Sequence, residues 1–468
     1  GAGRRAGHPV RRACGTMNGV QHDLVIRARR AVVGGSERAV SVAVHEGRIA
    51  ALLPYDEPPS AARLLELADD EVLLPGLVDT HVHVNEPGRT EWEGFASATR
   101  AAAAGGVTTL VDMPLNSIPP TVTVAALREK QEAARDQVSV DVGFWGGAVP
   151  GHLGDLEALH DAGVFGFKCF LADSGVEEFP PLDHEQFAAA MGETARLGAL
   201  LIVHAEDAGE LAAAAPPDGT TYAGFLRSRP DAAERTAVDH VIDIARRTGG
   251  SAHVLHLSSA QALPALHAAR ADGVDVSVET CPHYVCLAAE EIPDGATEFK
   301  CCPPIRERSN QDRLWSALVG GDIDLVVSDH SPCTVELKRR DVGDFGLAWG
   351  GIASVQLGLP AMWSSAAARG VDLPRLVGWM ATAPADRVGL AHKGRIAVGA
   401  DADFAVFAPD EEWDVDVTSL RHKNPVSAYD GRRLRGVVRQ TWLRGAQLAI
   451  NRESNDQPAG RLLVRGRR

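Results

Sequence analysis

The sequence predicts an α/β fold in which a (β/α)8 TIM barrel carries a small β-sandwich module. Short apolar runs, typical of buried parallel strands, alternate with helical stretches rich in Ala, Leu, Glu and Arg. Several of these runs stop on a polar residue that can bind a metal, as expected where barrel strands present side chains at their carboxyl ends. The eight strand candidates are residues 72–82, 107–112, 138–145, 164–170, 199–204, 252–257, 274–279 and 323–328.

Helical stretches lie between most of these strand candidates, and several end in the glycine that commonly terminates a helix. They comprise residues 94–104, 124–134, 183–197, 234–247, 260–271 and 310–319. Eight βα units in series favour a closed parallel barrel over an open doubly wound sheet. The open sheet lacks support because no G-x-G-x-x-G motif follows the first strand.

Four regions are expected along the chain. Residues 22–72 and 394–450 alternate like short strands and contain glycine turns, so we expect them to form one small β module beside the barrel. The barrel is expected over residues 73–393. Residues 1–21 are interpreted as a disordered or non-native arm without the apolar segment of a signal peptide, and the Arg-rich residues 451–468 as a tail.

Composition narrows the functional classes. The chain has 468 residues, of which 45% are hydrophobic and 23% charged, as in globular proteins. The formal charge of −15 argues against nucleic acid or an anionic membrane as a partner. Seven cysteines, an odd number without C-x-x-C spacing, fit a reducing cytoplasm better than a secreted disulfide framework. No apolar run is long enough to span a bilayer.

Two histidines close the first barrel strand. Val-Asp-Thr-His-Val-His (residues 78–83) places His81 and His83 two residues apart, so both imidazoles point to one face of the strand. We interpret them as metal ligands, the alternative being a pair of structural histidines hydrogen-bonded in the core.

Three further ligand candidates end separate apolar runs: His204, His256 and Asp329. Each histidine offers a neutral imidazole for a second metal. The Asp329 carboxylate can bind one metal and accept a proton from bound water. The alternative role for Asp329 is a helix N-cap.

Lys168 is the most unusual residue of the set, because it lies inside the apolar run Phe-Gly-Phe-Lys-Cys-Phe-Leu (residues 165–171). A buried ammonium is costly unless it is paired or modified. As the neutral amine, Lys168 can react with CO2 to give a carbamate whose two oxygens would bridge two metals. The alternatives are a salt bridge to a carboxylate or an outward-pointing side chain.

Together, the six candidates predict metal-assisted hydrolysis. A divalent ion lowers the pKa of water enough to give hydroxide near neutral pH, and two ions also polarise the attacked carbonyl. Asp329 would take the proton from the attacking water and pass it to the leaving nitrogen, which is a poor leaving group unless it is protonated.

The segments around these candidates resemble the cyclic amidohydrolases, over residues 22–447. The resemblance rests on several motifs in addition to the two histidines. These are Asp79-Thr-His-Val-His with Asn85-Glu-Pro-Gly, Val111-Asp-Met-Pro-Leu-Asn, Phe167-Lys-Cys-Phe-Leu, Glu279-Thr-Cys-Pro-His-Tyr, Lys300-Cys-Cys-Pro-Pro-Ile-Arg, Ser328-Asp-His-Ser-Pro-Cys and Trp349-Gly-Gly-Ile-Ala.

The resemblance implies a binuclear site, usually with two Zn2+ ions. His81, His83 and Asp329 would hold the first ion, and His204 and His256 the second. An N6-carboxylated Lys168 would bridge them. The implied reaction opens the hydantoin ring of the small molecule allantoin to give allantoate, in purine degradation, and the implied assembly is a homotetramer.

Related activities remain as alternatives. Dihydroorotases typically place an arginine where Asn85 stands, to bind a substrate carboxylate, whereas a neutral amide suits the polar groups of allantoin. Hydantoinases and dihydropyrimidinases usually carry a tyrosine a few residues after the bridging lysine, and none follows Lys168 here. The transition-state oxyanion must then rest on the metals or on other donors. The backbone around Cys302 is a candidate for holding the ring imide.

Two further classes are weighed against the hydrolase. Some relatives lose metal ligands and serve as scaffolds, but this chain keeps all six. Metal-dependent deaminases on the same barrel usually lack the bridging lysine. Stoichiometric divalent metal would argue against a scaffold, and ammonia release from base analogues would favour a deaminase.

Overall fold

The computed structural model describes residues 21–455 and 457–467. The arm expected at the N-terminus lies outside the described residues, apart from residue 21. Within these described ranges, no helix is both long and apolar enough to cross a membrane.

The described part of the chain begins with five strands that belong to the flanking module. They are β1 (His22–Val33), β2 (Ser36–His45), β3 (Arg48–Leu53), β4 (Ala61–Glu66) and β5 (Val72–Pro75). β1 pairs with β2 in antiparallel fashion and with β4 and β5 in parallel.

The barrel follows directly. Its strands are β6 (Leu77–Val82), β7 (Val107–Asp112), β8 (Asp141–Phe144), the short β9 (Gly146–Gly147), β10 (Phe167–Phe170), β11 (Leu200–His204), β12 (Ser251–Val254), β13 (Val276–Thr280) and β14 (Leu325–Val326). Every strand pairing is parallel. Two contacts close the ring: Phe165 N donates to Phe144 O at 3.0 Å, and His83 N donates to His330 O at 2.8 Å. The predicted closed barrel is confirmed.

Helices cover the outside of the barrel and connect its strands. They are α1 (Phe95–Ala104), α2 (Val124–Ala134), α3 (Leu156–Asp161), α4 (His184–Leu197), α5 (Ala208–Ala213), α6 (Tyr222–Ser228), α7 (Asp231–Thr248), α8 (Leu263–Ala271), α9 (Pro282–Cys286), α10 (Arg308–Gly320), α11 (Gly358–Ala368), α12 (Leu373–Val377) and α13 (Ala383–Arg387). As predicted, α4, α7 and α10 end on left-handed glycines, Gly198, Gly249 and Gly321.

Four C-terminal strands complete the module: β15 (Phe404–Asp414), β16 (Arg433–Leu443), β17 (Ala446–Ile450) and β18 (Glu453–Ser454). The sheet order is β18-β17-β16-β15-β5-β1-β2-β3, with β4 also on β1. Both ends of the chain therefore contribute to one module, as the sequence predicts.

The run predicted as a single strand over residues 72–82 is divided at Gly76. The first half pairs with β15 of the module and the second half with β7 of the barrel. A Cβ at Gly76 would lie 2.1 Å from Thr108 Oγ1. Glycine is therefore needed where the chain passes from the module into the barrel.

A buried lysine connects the module to the barrel. Lys393 Nζ lies 2.6 Å from Asp141 Oδ2 on β8, 2.9 Å from Asp401 Oδ2 and 2.8 Å from Asp403 Oδ2. Three clustered carboxylates could suggest a metal site, but the ammonium already occupies the position of a cation between them.

Residues 457–467, expected to be a tail outside the fold, instead run along β8. Val142 N donates to Arg461 O at 2.9 Å, and Leu463 N donates to Val142 O at 2.8 Å. Arg465 N reaches Gly163 O at 2.9 Å. The remaining domain limits stay predictions.

Candidate metal centre

The six ligand candidates meet at the carboxyl ends of the barrel strands. A cavity of about 660 Å³ opens there, and its wall includes His83, Lys168, His204, His256 and Asp329. His81 is fully buried, with its ring centroid 5.5 Å from that of His83 and 5.4 Å from that of His256. Well-separated segments therefore deliver the predicted set to one place.

Asp329 lies between the two histidines of the first strand. Its Oδ1 is 2.9 Å from His81 Nε2 and 3.5 Å from His83 Nε2. Burial alone would raise the pKa of Asp329, but His81 and the hydrogen bonds from both histidines hold it well below its usual value. The carboxylate is therefore ionised, which is the form that binds metal.

Glu279 fixes the orientation of His81. Its Oε1 accepts from His81 Nδ1 at 2.5 Å, and its Oε2 accepts from His253 Nε2 at 2.8 Å. Burial lowers the pKa of His81, but the charges of Asp329 and Glu279 outweigh that effect and raise it to about 9. A carboxylate behind a metal-binding imidazole leaves the other ring nitrogen for the ion. The sequence alone did not indicate this role of Glu279.

His204 has a similar partner. Its Nε2 lies 2.6 Å from Glu206 Oε2, and its ring stacks on Phe170 at 4.5 Å between centroids. The ring centroid of His256 is also 4.5 Å away. Glu206, like Glu279, was missed by sequence reasoning, although a glutamate two residues beyond an apolar strand is the same kind of signal as Lys168.

Three ligand candidates lie past the last residue of their strands, and one of them, His83, directly follows Val82 at the end of β6. His256 comes after the end of β12 and Asp329 after the end of β14, with φ values of 36° and 47°. A left-handed backbone is uncommon for residues other than glycine and often marks a functional site. The backbone turn at each position explains why strand periodicity alone misplaces them.

Lys168 is buried on β10. Burial lowers its pKa to about 8, although the charges of Asp329 and Glu279 act in the opposite direction. Among the described residues, no carboxylate oxygen lies within salt-bridge distance of its ammonium, and its Nζ lies over the ring of Phe170, 5.1 Å from the centroid. Neither alternative role, a salt bridge or an outward-pointing side chain, is seen.

The donor set fits divalent metal ions. Ligand atoms of His81, His256 and Asp329 lie within 4.8 Å of one another. Over the described ranges, Nδ1 of His83 and Nδ1 of His256 are buried without a hydrogen-bond partner, an arrangement that is unfavourable unless the atom has another use. A second group of potential metal ligands at this mutual distance consists of Cys281, His283 and Asp329.

The two predicted substrate contacts differ in position. Cys302 lines the cavity, and burial raises the pKa of its thiol. Asn85 is buried outside the cavity lining, and its Nδ2 donates to Pro332 O at 3.2 Å. Its Oδ1 has no hydrogen-bond partner in the described part of the chain. Both roles stay predictions.

Comparison with known proteins identifies the family of this chain. The amidohydrolase family profile matches residues 72–448. The chain is 58% identical to an allantoinase of Streptomyces avermitilis over 444 residues, covering 95% of this chain and 99% of the relative. It is 49% identical to an allantoinase of Saccharomyces cerevisiae, covering 86% and 88% of the two chains.

The chain is also similar to solved structures of a hydantoinase and a dihydropyrimidinase. An L-hydantoinase (dihydropyrimidinase) from Arthrobacter aurescens superposes with a TM-score of 0.89 at 30% identity, covering 95% of this chain and 100% of that one. A dihydropyrimidinase from Brevibacillus agri gives 0.84 at 29% identity, covering 94% and 98%.

The chain therefore belongs to the amidohydrolase family. Within that family it groups with the allantoinases, and it is a hydrolase that acts on cyclic amide carbon–nitrogen bonds.

Proposed function

We propose that this enzyme opens the hydantoin ring of allantoin to give allantoate. The observation that carries the proposal is the convergence of the six ligand candidates on one cavity, in a chain whose curated relatives are allantoinases. A neutral cyclic diamide suits this cavity, which has both polar and apolar walls.

The proposed cofactors are two divalent ions, most simply Zn2+. His81, His83 and Asp329 would hold the first ion, and His204 and His256 the second. Lys168, carboxylated on Nζ, would bridge the two. Divalent ions in such a site lower the pKa of water to about 7 and polarise a carbonyl.

The protein's own residues would then orient and move protons. Asp329 is ionised and within reach of both His81 and His83, so its free oxygen can accept a proton from the attacking water and return it to the leaving nitrogen. Glu279 keeps the Nε2 of His81 facing the centre. Cys302 is proposed to hold the ring imide through its backbone, and Asn85 to contact the ureido or ring polar groups.

The second candidate activity is that of a hydantoinase or dihydropyrimidinase, favoured by solved structures of such enzymes that superpose with TM-scores of 0.89 and 0.84. Lys168 is followed by Cys-Phe-Leu-Ala-Asp-Ser (residues 169–174), so the tyrosine usual a few residues after the bridging lysine of those enzymes is missing here. The two activities therefore differ in what would stabilise the oxyanion.

A substrate panel on metal-reconstituted protein distinguishes these activities. We expect allantoin to turn over far faster than dihydrouracil or dihydroorotate. A preference for dihydrouracil would move the assignment to dihydropyrimidinase, and a preference for dihydroorotate would move it to dihydroorotase.

We further propose that the enzyme is a cytoplasmic homotetramer. The reducing compartment is supported by six cysteines that are free in the described part of the chain, and the tetramer by the family resemblance. Light scattering of the purified protein measures the assembly directly, and a monomer would contradict this proposal.

A further inference from the structure

Arg229 makes a two-point contact with the glutamate behind His204. Its Nε donates to Glu206 Oε1 at 3.0 Å, and its Nη2 donates to Glu206 Oε2 at 2.6 Å. Both carboxylate oxygens are therefore held by one rigid guanidinium. Arg229 itself lines the cavity, immediately after α6.

The same carboxylate oxygen also binds the histidine. Glu206 Oε2 lies 2.6 Å from His204 Nε2, and because an ionised carboxylate can only accept, Nε2 must carry the proton and donate it. The nitrogen left for a metal is then Nδ1. Stacking on Phe170, with 18° between the ring planes, limits rotation of the imidazole about this bond.

Glu206 needs the hydrogen bonds from Arg229 because of where it lies in the fold. It lies two residues beyond the end of β11, outside the strand hydrogen-bonding pattern, and its side chain is fully buried. The two hydrogen bonds from Arg229 fix the plane of this carboxylate, and the carboxylate in turn fixes the tautomer and the orientation of the His204 ring.

We propose that Arg229 is a positioning residue for the second metal ion, acting through Glu206 on His204. This inference rests on the proposed binuclear function and deepens it. It connects the wall of the cavity to a metal ligand that Arg229 does not touch.

Loss of the Arg229 side chain should therefore weaken the binding of one metal ion and not of the other. Removing the partner behind a metal-binding histidine typically weakens metal affinity by about 10- to 100-fold. Without these two hydrogen bonds, we expect the second ion to bind at least about tenfold more weakly. The affinity for the first ion should not change, because His81 has its own partner in Glu279. Lysine should not replace Arg229, because a single ammonium cannot hold both oxygens.

Arg444 provides a matched control. Its side chain is 16% exposed against 21% for Arg229, and its Nη1 lies 2.5 Å from the buried Asp141 Oδ2. Asp141 begins β8, at the barrel end opposite the cavity. An Arg444→Gln variant therefore removes a comparable ion pair without touching a ligand candidate.

The experiment titrates metal-free protein with Co2+ and follows the visible spectrum and the bound metal per chain. Arg229→Gln and Arg229→Lys are compared with Arg444→Gln and with the unsubstituted protein, after circular dichroism confirms that each variant is folded. Turnover of allantoin at limiting and at excess Co2+ is measured in parallel.

We expect both Arg229 variants to bind one equivalent normally and the second at least about tenfold more weakly. Excess Co2+ should restore most of their kcat, which a general loss of structure would not allow. Normal binding of two equivalents by both Arg229 variants, or equal loss in Arg444→Gln, overturns the inference alone. An unsubstituted protein that binds two ions but does not hydrolyse allantoin refutes the proposed substrate and leaves the inference intact, whereas one that binds a single ion refutes the binuclear centre and the inference that rests on it.

Discussion

Replacing Glu279 tests how the first metal position is held. Its carboxylate accepts three buried hydrogen bonds, from His81 Nδ1, His253 Nε2 and, at 3.3 Å, the backbone nitrogen of His256. Alanine would leave all three donors unpaired, at about 1 to 3 kcal/mol each. That total is comparable with the whole stability of a typical domain, about 5 to 15 kcal/mol. Glutamine is therefore the informative substitution.

Glu279→Gln can keep all three bonds. The amide oxygen replaces Oε1, and the amide nitrogen faces His253, which can accept because its Nδ1 lies 2.7 Å from the Ser277 hydroxyl and can donate to it. What is lost is the negative charge. Hydrogen bonds to a charged group contribute about 1 kcal/mol more than neutral ones, so with three such bonds roughly 3 kcal/mol of stability should disappear. The first ion should bind about 10- to 100-fold more weakly.

The assay is metal titration against a competing chelator, with urea unfolding of the metal-free protein measured separately. Ser277→Ala is the control, because it removes only the Nδ1 partner of His253. It should cost about 1 kcal/mol and leave metal affinity unchanged. A Glu279→Gln protein that is destabilised but binds the first equivalent with full affinity would refute the idea that Glu279 orients His81.

Three other outcomes are expected. Lys168→Ala should abolish turnover and lower the bound metal per chain, because the bridge is lost, and unchanged occupancy by two ions would count against a carbamate. Asp329→Asn should reduce kcat by about 100-fold or more; a near-native rate would remove this residue from the mechanism. Gly76→Ala should lower the free energy of unfolding by about 1 to 3 kcal/mol, because its Cβ would lie 2.1 Å from Thr108 Oγ1. Gly192 lies in α4 with open space around the position, so Gly192→Ala should instead raise the free energy of unfolding by about 0.5 to 1 kcal/mol. Both variants are measured by urea unfolding, and equal changes in the two would contradict the packing argument.

The barrel was predictable because its strands are buried on both faces. Such strands read as continuous apolar runs, and the run over residues 107–112 coincides with β7. The run over residues 72–82 was interpreted as one strand, since apolar character cannot show that Val72–Pro75 pairs with β15, more than 300 residues away. Pairing partners at that distance are a property of the folded chain.

The metal-ligand candidates could be identified for a related reason. Burying a charged or imidazole side chain at the end of an apolar strand costs free energy unless the side chain has a partner or a ligand. Lys168 and His204 therefore stand out in the sequence. Glu206 and Glu279 carry the same signal, but their roles depend on which histidine each carboxylate meets. The left-handed turns at His256 and Asp329 also leave no trace in hydrophobic periodicity.

The C-terminal segment shows where composition misleads. Its arginines suggest a tail, but residues 457–467 pair by backbone hydrogen bonds with Val142 and Gly163, and the Arg465 side chain donates to the backbone oxygens of His160 and Val164. Backbone pairing does not depend on side-chain character, so the residue types along this segment gave no warning of it.

The pairing of β5 with β15 has a consequence for synthesis in the cell. β15 emerges from the ribosome about 330 residues after β5. At roughly 5 to 20 residues per second, the edge of β5 waits about 15 to 65 s for its partner. An unpaired strand edge promotes association with other chains. We therefore expect the nascent chain to need chaperone protection over that interval, and the flanking module to fold only after the barrel strands have been synthesised.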